Sequence, residues 1–222
     1  MIGTHLLGQK IDQWALEESL RQMTEWNAMG LDLGISINIT AQSLQTAGFG
    51  ENLADLLARF PAVKPGRCEL EILESAALDD IEYISQVMRF CQGIGLRFAL
   101  DDFGTGYSSL TYLKHLPAET IKIDRSFVRD MLEDKEDLAI VEGVIGLTRA
   151  FHRQVVAEGV ETIAQGVQLI RMGCDLAQGY AIARPMPAGE IPAWAGQWKP
   201  PPEWVSPLIT ERAIRMRWQW KP

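Results

Sequence analysis

The sequence is poor in cysteine and has no excess of positive charge. Its 222 residues include three cysteines, with no C-x-x-C pair, and 21 Lys plus Arg against 29 Asp plus Glu, a formal net charge of −8. This cysteine usage argues against a disulfide scaffold or a thiolate zinc site and favours reduced thiols in the cytoplasm. The acidic balance argues against non-specific affinity for nucleic acid, because no basic patch is available to displace counterions. A phosphate group bound here is then expected to be held through a metal.

Three further features are missing. No apolar run approaches the length of a membrane span, and the N-terminus has no signal-peptide core. No internal repeat or low-complexity segment is present. The three histidines follow no ligand spacing and are interpreted as structural. The length and the 47% hydrophobic content therefore predict one large globular domain.

Predicted strands and helices alternate along the chain. Apolar residues at helical spacing, such as Trp14 and Leu20, predict the first helix, and Gly30 is placed to end it. The predicted helices span 11–30, 52–60, 81–95, 108–115, 136–151 and 161–173, and the predicted strands span 33–40, 68–74, 96–102, 120–124, 154–159 and 176–183. Because several strands are apolar along much of their length, this pattern is typical of a parallel sheet covered by helices.

Each predicted strand carries a polar or charged residue near its carboxyl end. These residues are Asn38, Glu71, Asp101 with Asp102, Lys122, Glu158 and Gln178. In a (β/α) barrel of the TIM type, all strands open with their carboxyl ends onto one face, so six stretches of chain can deliver side chains to one point. An open doubly wound sheet would gather ligands mainly at a single switch point. The repetition favours the barrel.

Four carboxylates at one barrel mouth require compensating positive charge. Glu71, Asp101, Asp102 and Glu158 would repel one another unless cations lay among them. Oxygen ligands without His or Cys suit Mg²⁺ or Mn²⁺ better than Zn²⁺. Adjacent aspartates can hold two ions that clamp the oxygens of a phosphodiester, and Lys122 could offset developing charge.

Five stretches match a known family. LDDFGTGYSSL, ELEILES, IKIDRSF, VVAEGVET and CDLAQGY, at these separations, closely resemble the EAL family of bacterial cyclic di-GMP phosphodiesterases, from about residue 6 to about residue 190. The resemblance implies a TIM-type barrel in which two Mg²⁺ or Mn²⁺ ions support hydrolysis of cyclic di-GMP to the linear dinucleotide. It also implies a cytoplasmic signalling protein able to form a homodimer.

The resemblance also implies roles for residues of this chain. Asn38, Glu71 and Asp101 correspond to ligands of one ion, and Asp101, Asp102 and Glu158 to ligands of the second. Both sets lie at the predicted strand ends.

Other site residues are implied in the same way. Lys122 resembles the lysine that orients the attacking water, and Gln178 resembles a residue that contacts substrate. Glu74 and Glu161 resemble the carboxylates that hold the loop from Asp101 to Ser109. That loop is expected to move through Gly104, Thr105 and Gly106.

The sequence departs from the family pattern in two places. It contains no Glu-Ala-Leu triplet, whose glutamate is a metal ligand in the family, nor the arginine beyond it. The match covers about six of eight βα units, an N-terminally incomplete barrel. Either the sequence is a fragment or a truncated gene product, or another chain or the C-terminal tail covers the gap. Leu73 stands where the family usually has threonine, between Glu71 and Glu74, which puts the positioning of the loop in question.

These departures leave two functions open. The chain is expected to be either a metal-dependent phosphodiesterase or a catalytically inactive receptor or regulatory module that binds cyclic di-GMP. A carboxylate-pair glycosidase is disfavoured, because it would not explain Lys122 together with adjacent aspartates. Taken alone, an Asp-Asp pair is more often a helix cap than a metal site, and Asp124 is interpreted as a helix cap or ion-pair residue.

The C-terminal residues differ in composition from the rest. Residues 1–190 are predicted to form the partial barrel domain, and residues 191–222 a Pro/Trp-rich extension. Five of the seven tryptophans lie there, namely Trp194, Trp198, Trp204, Trp218 and Trp220. The proline density predicts an irregular segment followed by a helix over about 207–218. We expect this tail to pack against the barrel exterior or its open side.

Overall fold

The computed structural model of the protein describes residues 2–74, 80–105 and 110–205, with side chains from residue 7 onward except 110–112. Over these ranges the helices are α1 (Ile2–Ala28), α2 (Ala41–Leu44), α3 (Phe49–Ala58), α4 (Ile81–Gly93), α5 (Leu110–His115), α6 (Arg125–Asp130), α7 (Lys135–Ala150), α8 (Ile163–Met172) and α9 (Ile191–Gln197). The strands are β1 (Ile35–Asn38), β2 (Cys68–Leu73), β3 (Arg97–Phe103), β4 (Thr120–Ile123), β5 (Gln154–Ala157) and β6 (Leu176–Ala177). Within the described part of the chain, no helix is long and apolar enough to cross a bilayer.

The six strands form one sheet in which strand order equals chain order, β1-β2-β3-β4-β5-β6. The pairs β1–β2, β2–β3 and β5–β6 are parallel. A doubly wound sheet would reverse direction at a switch point, and this order contains no reversal. The α/β alternation predicted from the sequence is therefore confirmed, and the open doubly wound alternative is excluded.

The chain divides into two compact units, Met1–Ile121 and Lys122–Pro222. The core of the first unit lies where α1 and α4 cover strands β2 and β3, and Leu20, Met23, Leu70, Met88 and Phe98 are almost fully buried there. Burial of each such side chain contributes about 1.5–3 kcal/mol to stability. The buried face of α1 contains Leu16, Leu20 and Met23, whereas Ile11 and Trp14 are exposed. The helical spacing thus predicted α1 correctly but did not separate its two apolar faces.

The second unit includes the start of the C-terminal extension. A short 3₁₀ turn, Pro202–Trp204, places the Trp204 ring against α8. Its indole Nε1 donates a hydrogen bond to the Ile163 carbonyl, with a distance of 3.0 Å. For this residue the expectation that the tail packs on the exterior is confirmed. The predicted helix over 207–218 lies outside the described residues.

Several elements differ from the sequence-based expectation. Helix α1 begins at Ile2 and not at residue 11, α2 was not predicted, and α9 lies in a segment that was predicted to be irregular. The strand predicted over 176–183 ends at Ala177, because the amides of Ile182 and Ala183 donate to the Gly179 carbonyl and form a local turn instead of a ladder. Helix α6 was not predicted. Asp124 accepts from the Ser126 amide and caps this helix, which confirms the interpretation of Asp124 as a cap.

Candidate functional site

In the first unit, polar side chains cluster on one face near the carboxyl ends of β1, β2 and β3. Glu71 is 6% exposed and Asp101 is 9% exposed. The parallel register pairs Asn38 with Glu71 and Leu73 with Asp101. Residues two apart on a strand, and residues paired across strands, share a face of the sheet. Asn38, Glu71 and Asp101 therefore lie on the same face, and the two carboxylates are buried.

The chemistry of this face suits a hard divalent cation. Burial of a carboxylate is costly unless positive charge or hydrogen bonds offset the loss of water. Two carboxylates and one amide supply only oxygen ligands, the donor set that Mg²⁺ and Mn²⁺ prefer. Asn38, Glu71 and Asp101 thus fit the divalent cation that the sequence led us to expect.

The backbone departs from regular strand geometry at Asp102, near the end of β3, and turns over residues 102–105. Asp102 has a φ of 52°, in the left-handed region, where a non-glycine residue costs roughly 1–3 kcal/mol. Two contacts hold the turn: the Thr105 hydroxyl donates to the Asp102 carbonyl (2.9 Å), and the Gly104 amide donates to Glu74 Oε2 (3.2 Å). Glu74 is buried, so it fixes the start of the loop to the end of β2. Gly106 lies outside the described residues.

Leu73 is 46% exposed at the end of β2, directly before Glu74. The hydrogen bond from Gly104 to Glu74 is present with leucine at this position. Anchoring of the loop start therefore does not require a hydroxyl at position 73.

In the second unit, a buried ion pair joins β4 to the residue that follows β5. Lys122 Nζ lies 2.6 Å from Glu158 Oε1, and the two side chains are only 5% and 15% exposed. The Glu158 amide donates to the Ile123 carbonyl (3.1 Å), which continues the sheet pairing past β5. Lys122 and Glu158, both predicted to be site residues, are thus brought together.

The loop after Glu158 is held on both sides. Gly159 has a φ of 67°, and a Cβ there would lie 2.5 Å from the Cβ of Arg125. The Val160 amide donates to the Gln178 carbonyl (3.0 Å), and the Gln178 amide donates to the Ala157 carbonyl (2.8 Å). Gln178 is exposed, and its backbone is fixed by these two hydrogen bonds.

Glu161 follows on the same loop and is exposed. The backbone amide of Glu161 donates a hydrogen bond to Gln165 Oε1 (2.9 Å). Sequence analysis missed Gln165, a buried residue at the third position of α8. The pattern Thr162-x-x-Gln165 forms a capping box and was a readable signal for it.

Comparisons with known proteins identify the family to which the chain is similar. The family model described as "EAL domain" matches residues 1–185. The bifunctional diguanylate cyclase/cyclic di-GMP phosphodiesterase MucR of Pseudomonas aeruginosa is 40% identical over 183 residues, 82% of this chain and 27% of that protein. The chain spans about a quarter to a third of the length of the curated relatives it matches most strongly.

Solved structures show the same fold. The MucR phosphodiesterase in complex with cyclic di-GMP aligns with a TM-score of 0.78 and 40% identity, over 82% of this chain and 74% of that one. The EAL domain of Mycobacterium smegmatis DcpA aligns with a TM-score of 0.81 and 38% identity, over 87% of each chain. The prediction of a TIM-type α/β fold with six βα units is confirmed. With the family model matching most of its length, and with relatives of this identity, the chain belongs to the EAL domain family.

Proposed function

We propose that this chain hydrolyses cyclic di-GMP to the linear dinucleotide, in bacterial signalling, with the help of divalent metal ions. Membership of the EAL family supports the proposal, as does its similarity to relatives named as cyclic di-GMP phosphodiesterases. The single observation that carries it is the pair of buried carboxylates, Glu71 and Asp101, on one face of the sheet beside Asn38. Two buried carboxylates and an amide oxygen on one face fit a phosphate ester bound through metal.

The proposed ligands are oxygen donors at the strand ends. Asn38, Glu71 and Asp101 would hold one Mg²⁺ or Mn²⁺ ion, and Asp101, Asp102 and Glu158 the second. When bound, two such ions neutralise phosphate charge and lower the pKa of water. They would also compensate the mutual repulsion of the acidic side chains.

The protein's own groups supply positioning and charge. The Lys122 ammonium has three N–H donors, and Glu158 accepts one of them at 2.6 Å. In our proposal the ammonium also orients the attacking water and offsets negative charge that develops on the phosphate. Gln178 contacts the substrate. Glu74, through its hydrogen bond to Gly104, keeps the Asp102 turn in register with the site.

The test is turnover of cyclic di-GMP by the purified chain with Mg²⁺ or Mn²⁺, followed by chromatography of the linear product. Asp101→Asn and Glu71→Gln are expected to lower kcat/KM by at least about 100-fold, because each removes a charged ligand. Glu133→Gln, which removes an exposed acid of the second unit, is the matched control and is expected to leave the rate unchanged. Equal rates in all four proteins would reject the proposal.

A second candidate is a receptor or regulatory module without turnover. It is favoured by the absence of a Glu-Ala-Leu triplet from the sequence. Calorimetric titration with cyclic di-GMP separates the two candidates: tight binding without product supports the receptor. A homodimer or a partner chain that completes the site, and location in the cytoplasm, remain part of the proposal. The cytoplasmic location is supported by three cysteines that are all free and buried.

A further inference from the structure

The loop that carries Glu158 is anchored to α8 by one side chain. Gln165 is buried, and its Oε1 accepts hydrogen bonds from the amides of Glu161 and Thr162, each at 2.9 Å. Its Nε2 donates to the carbonyls of Val128 (3.2 Å) and Arg129 (3.1 Å) in α6. One amide group thus ties the loop following Glu158 to the helix after β4, the strand of Lys122.

The next residue along α8 is the docking point of the C-terminal extension. Gly166 contacts the Trp204 ring so closely that a Cβ at this position would lie 2.4 Å from ring atoms. The Trp204 Nε1 also donates to the carbonyl of Ile163, the first residue of α8. Trp204 is 9% exposed. The extension therefore packs against the same helical turn that contains Gln165.

Trp204 lies beyond the segment matched by the family model, which ends at residue 185. Every contact in the path, from Trp204 through Gly166 and Gln165 to Glu161, is within the second unit.

We propose that Trp204 is a positioning residue that holds the first turn of α8, and through Gln165 the loop 158–162, so that the Glu158 carboxylate is preorganised for metal binding. This inference rests on the proposed function in one respect, the assignment of Glu158 as a metal ligand. Partners that orient ligating groups contribute about 10–100-fold to metal affinity. Loss of the Trp204 contacts is expected to lower the metal affinity of the site without removing any ligand.

The decisive variant is Gly166→Ala, because its methyl group displaces the Trp204 ring while leaving every polar group of the path in place. Gly146→Ala in α7 is the matched control: it also adds a methyl group to a helical glycine, but no atom lies within 4 Å of it. Trp204→Phe keeps an aromatic ring but removes the donor to Ile163 and one ring of the indole. It provides a milder variant should Gly166→Ala fail to fold.

Three measurements on the full chain test the proposal. Amide hydrogen exchange at residues 159–162 is expected to accelerate about tenfold or more in Gly166→Ala. Calorimetric titration with Mn²⁺ alone is expected to show about tenfold weaker binding. In turnover assays the Mn²⁺ concentration for half activation should rise, while kcat at saturating Mn²⁺ returns to the wild-type value. Gly146→Ala should match the wild type in all three.

A lower melting temperature of Gly166→Ala with unchanged exchange rates and unchanged Mn²⁺ affinity would overturn the proposal, since Trp204 would then be purely structural. In a Trp204→Ala background, Gly166→Ala should have no further effect on exchange, because the ring it displaces is gone. A further acceleration there would also contradict it. If the wild type neither binds Mn²⁺ nor hydrolyses cyclic di-GMP, the proposed function fails, and the exchange rates alone decide whether Trp204 holds the loop.

Discussion

Replacing Lys122 with methionine tests the buried ion pair directly. Methionine keeps an unbranched apolar stem but removes the ammonium that lies 2.6 Å from Glu158. At that distance the Coulomb attraction is about 6 kcal/mol for an effective dielectric constant of 20. The desolvation of both groups offsets part of this attraction. Because the substitution leaves a buried carboxylate without its ammonium, we expect the free energy of unfolding to fall by about 3–5 kcal/mol.

The assay is chemical denaturation at neutral pH in the presence of a chelator, so that no metal compensates the charge. A loss of this size corresponds to a melting temperature lower by roughly 6–20 °C for a chain of this length. Arg129→Met is the matched control, because it removes a cation from an exposed pair with Asp130 in the same unit. Surface pairs are screened by solvent, and this control is expected to show no measurable change.

The double variant Lys122→Met/Glu158→Leu separates charge from packing. With both charges replaced by apolar groups, most of the lost stability should return, since neither side chain then demands solvation. Two outcomes would refute the reasoning: a single variant Lys122→Met as stable as Arg129→Met, or a double variant no more stable than Lys122→Met alone. The first would mean that removing the ammonium leaves no costly buried charge, and the second that the lost stability comes from packing and not from the uncompensated carboxylate.

Three further substitutions or treatments have defined outcomes. In urea denaturation Gly159→Ala is expected to lower the free energy of unfolding by about 2–5 kcal/mol, because the backbone there is left-handed and the new Cβ meets the Cβ of Arg125. Gly173→Ala should cost only about 1–2 kcal/mol, because φ is also positive (91°) but the new Cβ meets only the flexible end of an arginine. In thermal melts Asp12→Ala should cost about 3 kcal/mol, because its buried carboxylate accepts three hydrogen bonds at the start of α2. At pH 8 a thiol reagent should label none of the three cysteines until urea is added. Burial raises the pKa of the Cys68 and Cys91 thiols to about 11 and that of the Cys174 thiol to about 12, so little reactive thiolate is present.

Most of the fold could be predicted from periodicity. Parallel strands buried on both faces appear as short apolar runs, and glycines such as Gly30 and Gly173 mark helix ends because both adopt positive φ. The strand predicted over 176–183 was too long, because apolar composition alone cannot show that the amides after Gly179 bond locally. The exposure of Trp14 could not be predicted from the sequence either, since the spacing of apolar residues identifies a helix but not the neighbours that cover it.

The candidate site was predictable to the extent that its residues end strands. Glu71 and Asp101 were identified because acids at strand ends stand out in an apolar sequence, and their placement on one face follows from the parallel register. Gln165 and Trp204 could not be found in this way. Each acts through a contact made by the folded chain. The capping-box pattern around Gln165 signals a helix start but not its contact with α6, and a tryptophan in a tail does not differ in sequence from ordinary surface residues.

The equality of strand order and chain order has a consequence for synthesis on the ribosome. Each strand pairs with the strand made just before it, so no pairing in the sheet has to wait for a distant part of the polypeptide. The first unit ends at Ile121, and it can begin to fold while later residues are still being translated. Trp204, by contrast, is translated more than forty residues after Glu158, so the loop that bears Glu158 would reach its final rigidity only after Trp204 has been made.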